Sequence, residues 1–360
     1  MTGAPRRILL AQTSFLGDVV LAVPLHDALA RAFPTAEIHW LVRPPAAELI
    51  APLVGRERIL SLDKYGKDAG FGGLIAISRR LRARQFDVGI AVQRSMRTAL
   101  LLTLAGITLR IGFEDAPGWL FYHRRVKRRG EGASERLRGL AAGLGVESFA
   151  TEARPRLVVD READGRLASI LTGHGIAAEA RLLVVAPGAA WATKRWPAAS
   201  FGALVDALVP APFAAAILVG AATDREACRA TLQASECVTT AGAARVVDLC
   251  GRTDTAELAA LVARAAVVVA NDSAVGHIAA AFGRPLVSIF GPTVPAQGFT
   301  PGGPQSSVVG LELVCRPCSR HGSARCPIGT HACMVDLEVS RVREAVLLAE
   351  KSRRAGQASA

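Results

Sequence analysis

The feature that most constrains this chain is a repeated alternation of short apolar runs with segments of helical periodicity. Arg7–Ala11, Glu37–Val42 and Phe86–Ala91 read as strands, with helices over Val19–Phe33 and Phe71–Arg84 between them. In the first of these helices Val20, Val23, Leu29 and Phe33 recur at roughly helical spacing. Charged and helix-breaking residues from Glu114 to Ala133 interrupt the pattern, and a second series follows. Its strands are Leu182–Ala186, Ala216–Gly220, Val246–Leu249, Ala266–Ala270 and Leu286–Phe290. Its helices lie around Ala198–Leu208, Asp224–Gln233, Thr255–Arg264 and Val275–Phe282. Parallel strands need a crossover between them, so strand–helix alternation predicts parallel βαβ units. Two doubly wound α/β domains are expected, over residues 1–165 and 166–345, with a polar, mobile tail over 346–360. The boundary is sought between about residues 150 and 180, where the strands stop and Arg154-Pro155 and the charged run Asp160–Arg166 intervene. A length of 360 residues suits two domains at roughly 150 residues each.

Composition narrows the partners. The 43 Lys and Arg against 31 Asp and Glu leave a net charge of +12, which favours an anionic partner or surface. Nucleic acid is the weakest candidate, because aromatics make up only 5% and no helix-turn-helix, RRM or zinc-finger pattern occurs. The longest apolar stretches, Ala99–Leu109 and Ala211–Ala222, fall short of the roughly 18 to 20 residues of a spanning helix. Asp18, His26 and Asp27 spoil an N-terminal signal reading, and seven scattered cysteines suit a reducing compartment; a cytoplasmic protein is expected.

Three segments have the form of a strand end leading into a helix start, where free N–H groups and the helix dipole favour anions. In Ser14-Phe15-Leu16-Gly17-Asp18, Gly17 admits a close ligand, and Asp18 is either a base or a plain helix-start acid. In Ala186–Pro197, the Gly188 amide, Thr193, Lys194 and Arg195 could surround a pyrophosphate; the alternative is a solvated basic loop. Walker A spacing and Gly-x-Gly-x-x-Gly are both missing there. In Asn271-Asp272-Ser273-Ala274-Val275-Gly276-His277, Asp272 and Ser273 have N-cap chemistry, and His277 reads as a core histidine or a ligand contact. Phe290-Gly291-Pro292-Thr293 ends the next strand beside it.

In order and spacing these segments resemble glycosyltransferase family 9, the lipopolysaccharide heptosyltransferases, most closely the heptosyltransferase II branch. Gln93-Arg94-Ser95 and Arg110-Ile111-Gly112 are lesser echoes. The resemblance implies a GT-B architecture of two Rossmann-like domains facing across a cleft, an N-terminal acceptor half and a C-terminal donor half. It implies inverting transfer of L-glycero-D-manno-heptose from ADP-heptose to the lipid A-Kdo inner core of lipopolysaccharide at the cytoplasmic, peripheral face of the inner membrane. Asp18 would be the general base and Lys194 would neutralise the departing ADP. Gly188, Thr193, Lys194, Arg195, Asn271, Asp272, Ser273, His277, Pro292 and Thr293 would bind the donor; Ser14, Gly17, Gln93, Arg94 and Ser95 would bind the acceptor. No metal or cofactor is implied for the chemistry. Ala274 stands where the family has Gly, so another sugar nucleotide, or a nucleotide-sugar epimerase on the same scaffold, is the alternative.

Cys315, Cys318, Cys326 and Cys333 permit a four-thiolate zinc, with His321 and His331 as spare ligands, but the wide second spacing favours packed thiols. The basic run His123–Arg129 reads either as a solvated face or as a surface for anionic lipid.

Overall fold

A computed structural model describes residues 4–358 apart from 129, 131, 150–153, 239–244 and 298–304. The chain divides into two compact units, Met1–Val158 and Val159–Ala360.

The first unit runs β1 (Arg7–Ala11), α1 (Leu16–Ala32), β2 (Glu37–Val42), α2 (Pro44–Val54), β3 (Ile59–Ser61), α3 (Gly70–Ala83), β4 (Val88–Ala91), α4 (Met96–Leu104), β5 (Leu109–Phe113), β6 (Arg124–Val126) and α5 (Ala133–Ala142). Its sheet is parallel, in the order β3-β2-β1-β4-β5-β6, with Ile8 opposite both Ile38 and Val88. The second unit runs α6 (Arg161–Gly173), β7 (Leu182–Ala186), α7 (Ala198–Asp206), β8 (Ala215–Leu218), α8 (Arg225–Ala234), β9 (Val246–Asp248), α9 (Thr255–Arg264), β10 (Val267–Asn271), α10 (Ala274–Ala281), β11 (Leu286–Ile289), β12 (Ser306–Val309), α11 (Ala332–Val335) and α12 (Val339–Ala358). Its sheet, also parallel, has the order β12-β11-β10-β7-β8-β9. Counted from its own first strand this is again 3-2-1-4-5-6, the doubly wound order of dinucleotide-binding folds. The α/β class and the Rossmann-like form of each unit are therefore as expected.

Local sequence explains the central elements. All five residues of β7 and of β10 are buried, as a strand covered by helices on both faces requires. Asp254 and Glu257 close a reciprocal capping box at the start of α9, and Asp160 caps α6 through the Glu162 and Ala163 amides. Each unit has its own core, around Trp40, Leu41 and Ile90 in the first and Phe201, Phe213 and Val269 in the second.

One expectation is corrected. The residues from 346 onward are not a tail: α12 continues through them to Ala358, with Val342 and Val346 fully buried and Glu350 buried beside Arg181. Its apolar residues fall on one face at helical spacing, and the charged outer face hides the pattern. The basic run is in part a strand, since Arg124–Val126 forms β6 at the sheet edge, where charged side chains block further strand pairing. Arg129, at the end of that run, lies outside the described residues, as do 359 and 360. Among the described residues no helix is long and apolar enough to cross a membrane.

Candidate functional site

In a 3-2-1-4-5-6 sheet the connections after strands 1 and 4 leave in opposite directions, opening a crevice at their carboxyl ends where ligands bind. In the first unit these are the segments after β1 and β4, and they hold every acceptor-side residue expected from sequence. Gln93 spans the two, its Nε2 donating to Thr13 Oγ1 at 2.5 Å and to Thr98 Oγ1 at 3.0 Å. Asp18 lies in the first turn of α1 and is half-buried. Ser14 Oγ is 2.6 Å from Asp18 Oδ2 and 2.9 Å from Gln12 Oε1, so its single proton orients the carboxylate or the amide. Gly17 is buried in the same turn, and Phe15 is 63% exposed beside it. Two expected acceptor contacts are engaged locally. Arg94 donates to the Asp115 carbonyl through Nε and Nη2, at 3.2 and 2.8 Å. Ser95 is the N-cap of α4, its hydroxyl accepting the Thr98 amide.

In the second unit the equivalent crevice gathers the donor-side residues. Lys194, in the turn that follows β7, places Nζ 2.5 Å from Asp272 Oδ2 at the end of β10. Thr293, after β11, donates its hydroxyl to the same oxygen at 2.8 Å. The two charged side chains are only 13% and 6% exposed. Ser273 is the N-cap residue of α10, yet its hydroxyl caps nothing and is a buried oxygen without a hydrogen-bond partner. A buried hydroxyl at a helix N-terminus is suited to a phosphate or sugar oxygen. His277 is buried in the first turn of that helix.

Five of the residues expected at the donor already have partners within the protein. Asn271 is 0% exposed, and its amide donates to the Pro187 carbonyl while its oxygen accepts the Trp196 amide, so it ties the two loops together. Thr193 donates to the Ser323 carbonyl and accepts the Ser323 amide, both at 2.9 Å, so its hydroxyl is engaged with the cysteine segment. Arg195 turns Nε and Nη2 onto the Ala189 carbonyl, which braces the loop. Asp272 serves Lys194 and Thr293 instead of capping α10. Packing within the protein requires Gly188 to be small. A Cβ there would sit 2.3 Å from Asp224 Cγ, so the space is filled by Asp224.

Sequence reasoning missed the residues that hold this crevice from outside. Arg316 Nη2 donates to the carbonyls of Phe290 and Thr293, the Cys318 amide donates to the Pro292 carbonyl, and His331 Nε2 lies 2.8 Å from the Thr193 carbonyl. The cysteine segment thus buttresses the loops after β7 and β11. No three of its thiols and histidines bring ligand atoms within 4.8 Å of one another, so the four-thiolate zinc finds no gathered set. Backbone N–H groups, His331 first, pull the Cys326 thiol below its ordinary range, while burial pushes Cys318 and Cys333 up. The only sequence signal for this role was Arg316-Pro317 inside the Cys-x2-Cys pair.

The model of glycosyltransferase family 9 (heptosyltransferase) matches residues 74–328. The chain is 31% identical to lipopolysaccharide heptosyltransferase 1 of Pseudomonas aeruginosa, over 87% of this chain and 86% of that protein. It is 28% identical to lipopolysaccharide heptosyltransferase 2 of Escherichia coli, over 96% and 100%. The solved structure of E. coli ADP-heptose LPS heptosyltransferase II superposes with a TM-score of 0.80 at 21% identity, covering 97% of this chain and 99% of that one. With the family model spanning both units, the chain belongs to glycosyltransferase family 9 and is a glycosyltransferase.

Proposed function

We propose that this enzyme transfers L-glycero-D-manno-heptose from ADP-heptose, with inversion, to the lipid A-Kdo inner core of lipopolysaccharide, as a heptosyltransferase II. The observation that carries the reading is the Lys194 ammonium, fixed by Asp272 at the switch point where such units take nucleotide phosphates. One of its three N–H groups serves Asp272, leaving two for pyrophosphate oxygens. The Ser273 hydroxyl and the N-terminal amides of α10 supply further donors. In the reaction Asp18 takes the proton of the acceptor hydroxyl as its oxygen attacks the anomeric carbon. The bond from that carbon to the ADP oxygen breaks, and Lys194 with the α10 amides receives the charge that develops on the leaving group. The step needs no metal. Branch II is supported by the E. coli heptosyltransferase 2 match along nearly the whole chain, and the lipopolysaccharide core by the names of the curated relatives.

ADP release measured against a panel of sugar nucleotides, with and without defined core acceptors, tests this reading. ADP-heptose is expected to give steady release that requires the acceptor. Acceptor-independent turnover would make the enzyme an epimerase, and success with another donor alone would discard heptose.

We also propose that the enzyme works at an anionic membrane surface. Support comes from β6, where Arg124 and Arg125 are exposed and the Arg125 guanidinium lies 4.6 Å over the Trp119 ring, next to the exposed Leu120. Basic residues near such a surface contribute about 1 kcal/mol each. Vesicles containing anionic lipid are expected to float with the protein and neutral ones without it; equal flotation removes the proposal.

A further inference from the structure

We propose that Cys228, Asp248 and Cys250 form a site for a thiophilic divalent cation, of which zinc is the first to test. Cys228 lies on α8, Asp248 is the last residue of β9, and Cys250 follows two residues later. The two sulfurs and a carboxylate oxygen lie within 4.8 Å of one another, and among the described residues no other group of cysteines, histidines and acids does so. Tetrahedral zinc at about 2.3 Å from each sulfur separates two sulfurs by about 3.8 Å, so side-chain shifts on the order of 1 Å complete the geometry.

The surroundings orient these ligands. The Cys250 amide donates to Asp248 Oδ1 at 2.9 Å, which fixes the carboxylate plane, as partners beyond a metal's ligands commonly do. The Cys228 and Cys250 thiols both face the chain leaving β8, donating to the Val219 carbonyl at 3.6 Å and the Ala221 carbonyl at 3.3 Å. A second carboxylate is close. A Cβ built on Gly220 would lie 3.1 Å from Cys250 Sγ and 3.2 Å from Asp224 Oδ2, so sulfur and acid flank the same bare backbone. Cys228 is 0% and Cys250 2% exposed. Thiols packed as small apolar groups would not call for a carboxylate among them; a cation does. Two sulfur ligands select zinc-like ions over magnesium or calcium, and three protein ligands leave a fourth position for water or Asp224. Binding releases both thiol protons to solvent. The cation would tie α8 to the end of β9 beside Asp224, whose carboxylate packs on Gly188.

The test uses the full chain with Cys315, Cys318 and Cys326 replaced by serine, so that the C-terminal thiols do not contribute. It is stripped with a chelator and titrated with zinc alone, then with cobalt alone. One zinc per chain is expected, with a sulfur-to-cobalt charge-transfer band. Cys250→Ser should lose the band and weaken zinc binding by at least about tenfold, and the half-buried Asp248→Asn should weaken it likewise. Circular dichroism establishes that each variant is folded, and Asp248→Asn decides the matter if Cys250→Ser is not. Absence of zinc uptake in this background, or undiminished uptake by folded Cys250→Ser or Asp248→Asn, overturns the proposal.

Discussion

Asp18→Asn is expected to lower the rate of ADP release by roughly 10²- to 10⁴-fold at saturating donor and acceptor, with the fold intact. Asparagine has the shape of aspartate, and its carbonyl oxygen accepts the Ser14 hydroxyl as Asp18 Oδ2 does at 2.6 Å. What it cannot do is take a proton from an acceptor hydroxyl. The loss should therefore fall on kcat, with little change in the donor KM. Ser14→Ala separates orientation from proton transfer. It removes one hydrogen bond, worth about 1 kcal/mol, and should cost no more than about tenfold. Steady-state ADP release by the three proteins, with melting curves as controls, provides the check. A parental rate in Asp18→Asn would remove the base from the mechanism.

Apart from β9, which stands at an edge, the strands that sequence reading recovered lie inside the sheets. β7 and β10 are unbroken apolar runs because helices cover each side of them, and such runs are visible without context. The missed strands β3, β6 and β12 all stand at sheet edges. There one side of the strand faces solvent, so Arg124, Arg125, Ser306 and Ser307 are compatible with pairing and conceal it. β5 was missed because Arg110 and Gly112 break its pattern. A Cβ on Gly112 would meet the Tyr122 ring at 2.3 Å, so that glycine answers to a side chain outside its own strand.

The candidate site divides in the same way. Residue type and position after a strand directed attention to Asp18, Lys194 and Asp272, and the family resemblance to Ser14 and Gln93. They could not say which polar groups face inward. Asn271 and Thr193 have the chemistry of ligand contacts, and only the three-dimensional arrangement shows their hydrogen bonds consumed by Pro187, Trp196 and Ser323. Arg316 and His331 act across long stretches of chain, at carbonyls that carry no sequence signal.

Lys194→Met separates two consequences of one ion pair. The Asp272 carboxylate is 6% exposed, and without the ammonium at 2.5 Å it keeps only the Thr293 hydroxyl among the side chains bonded to it here. A buried charge stripped of its partner typically costs about 3 to 5 kcal/mol, so the variant should melt well below the parent. It should also lose roughly 10²- to 10³-fold in kcat, as when a preorganised donor to developing charge is removed. The rate loss by itself could follow from a damaged loop. Adding Asp272→Asn removes the unpaired charge while keeping an oxygen for Thr293, and should restore most of the melting temperature. If Lys194 receives the charge of the departing pyrophosphate, the double variant stays as slow as Lys194→Met, because stability returns without the cation. Recovery of rate together with stability would reduce Lys194 to a structural partner of Asp272 and leave the charge on the leaving group to Ser273 and the α10 amides.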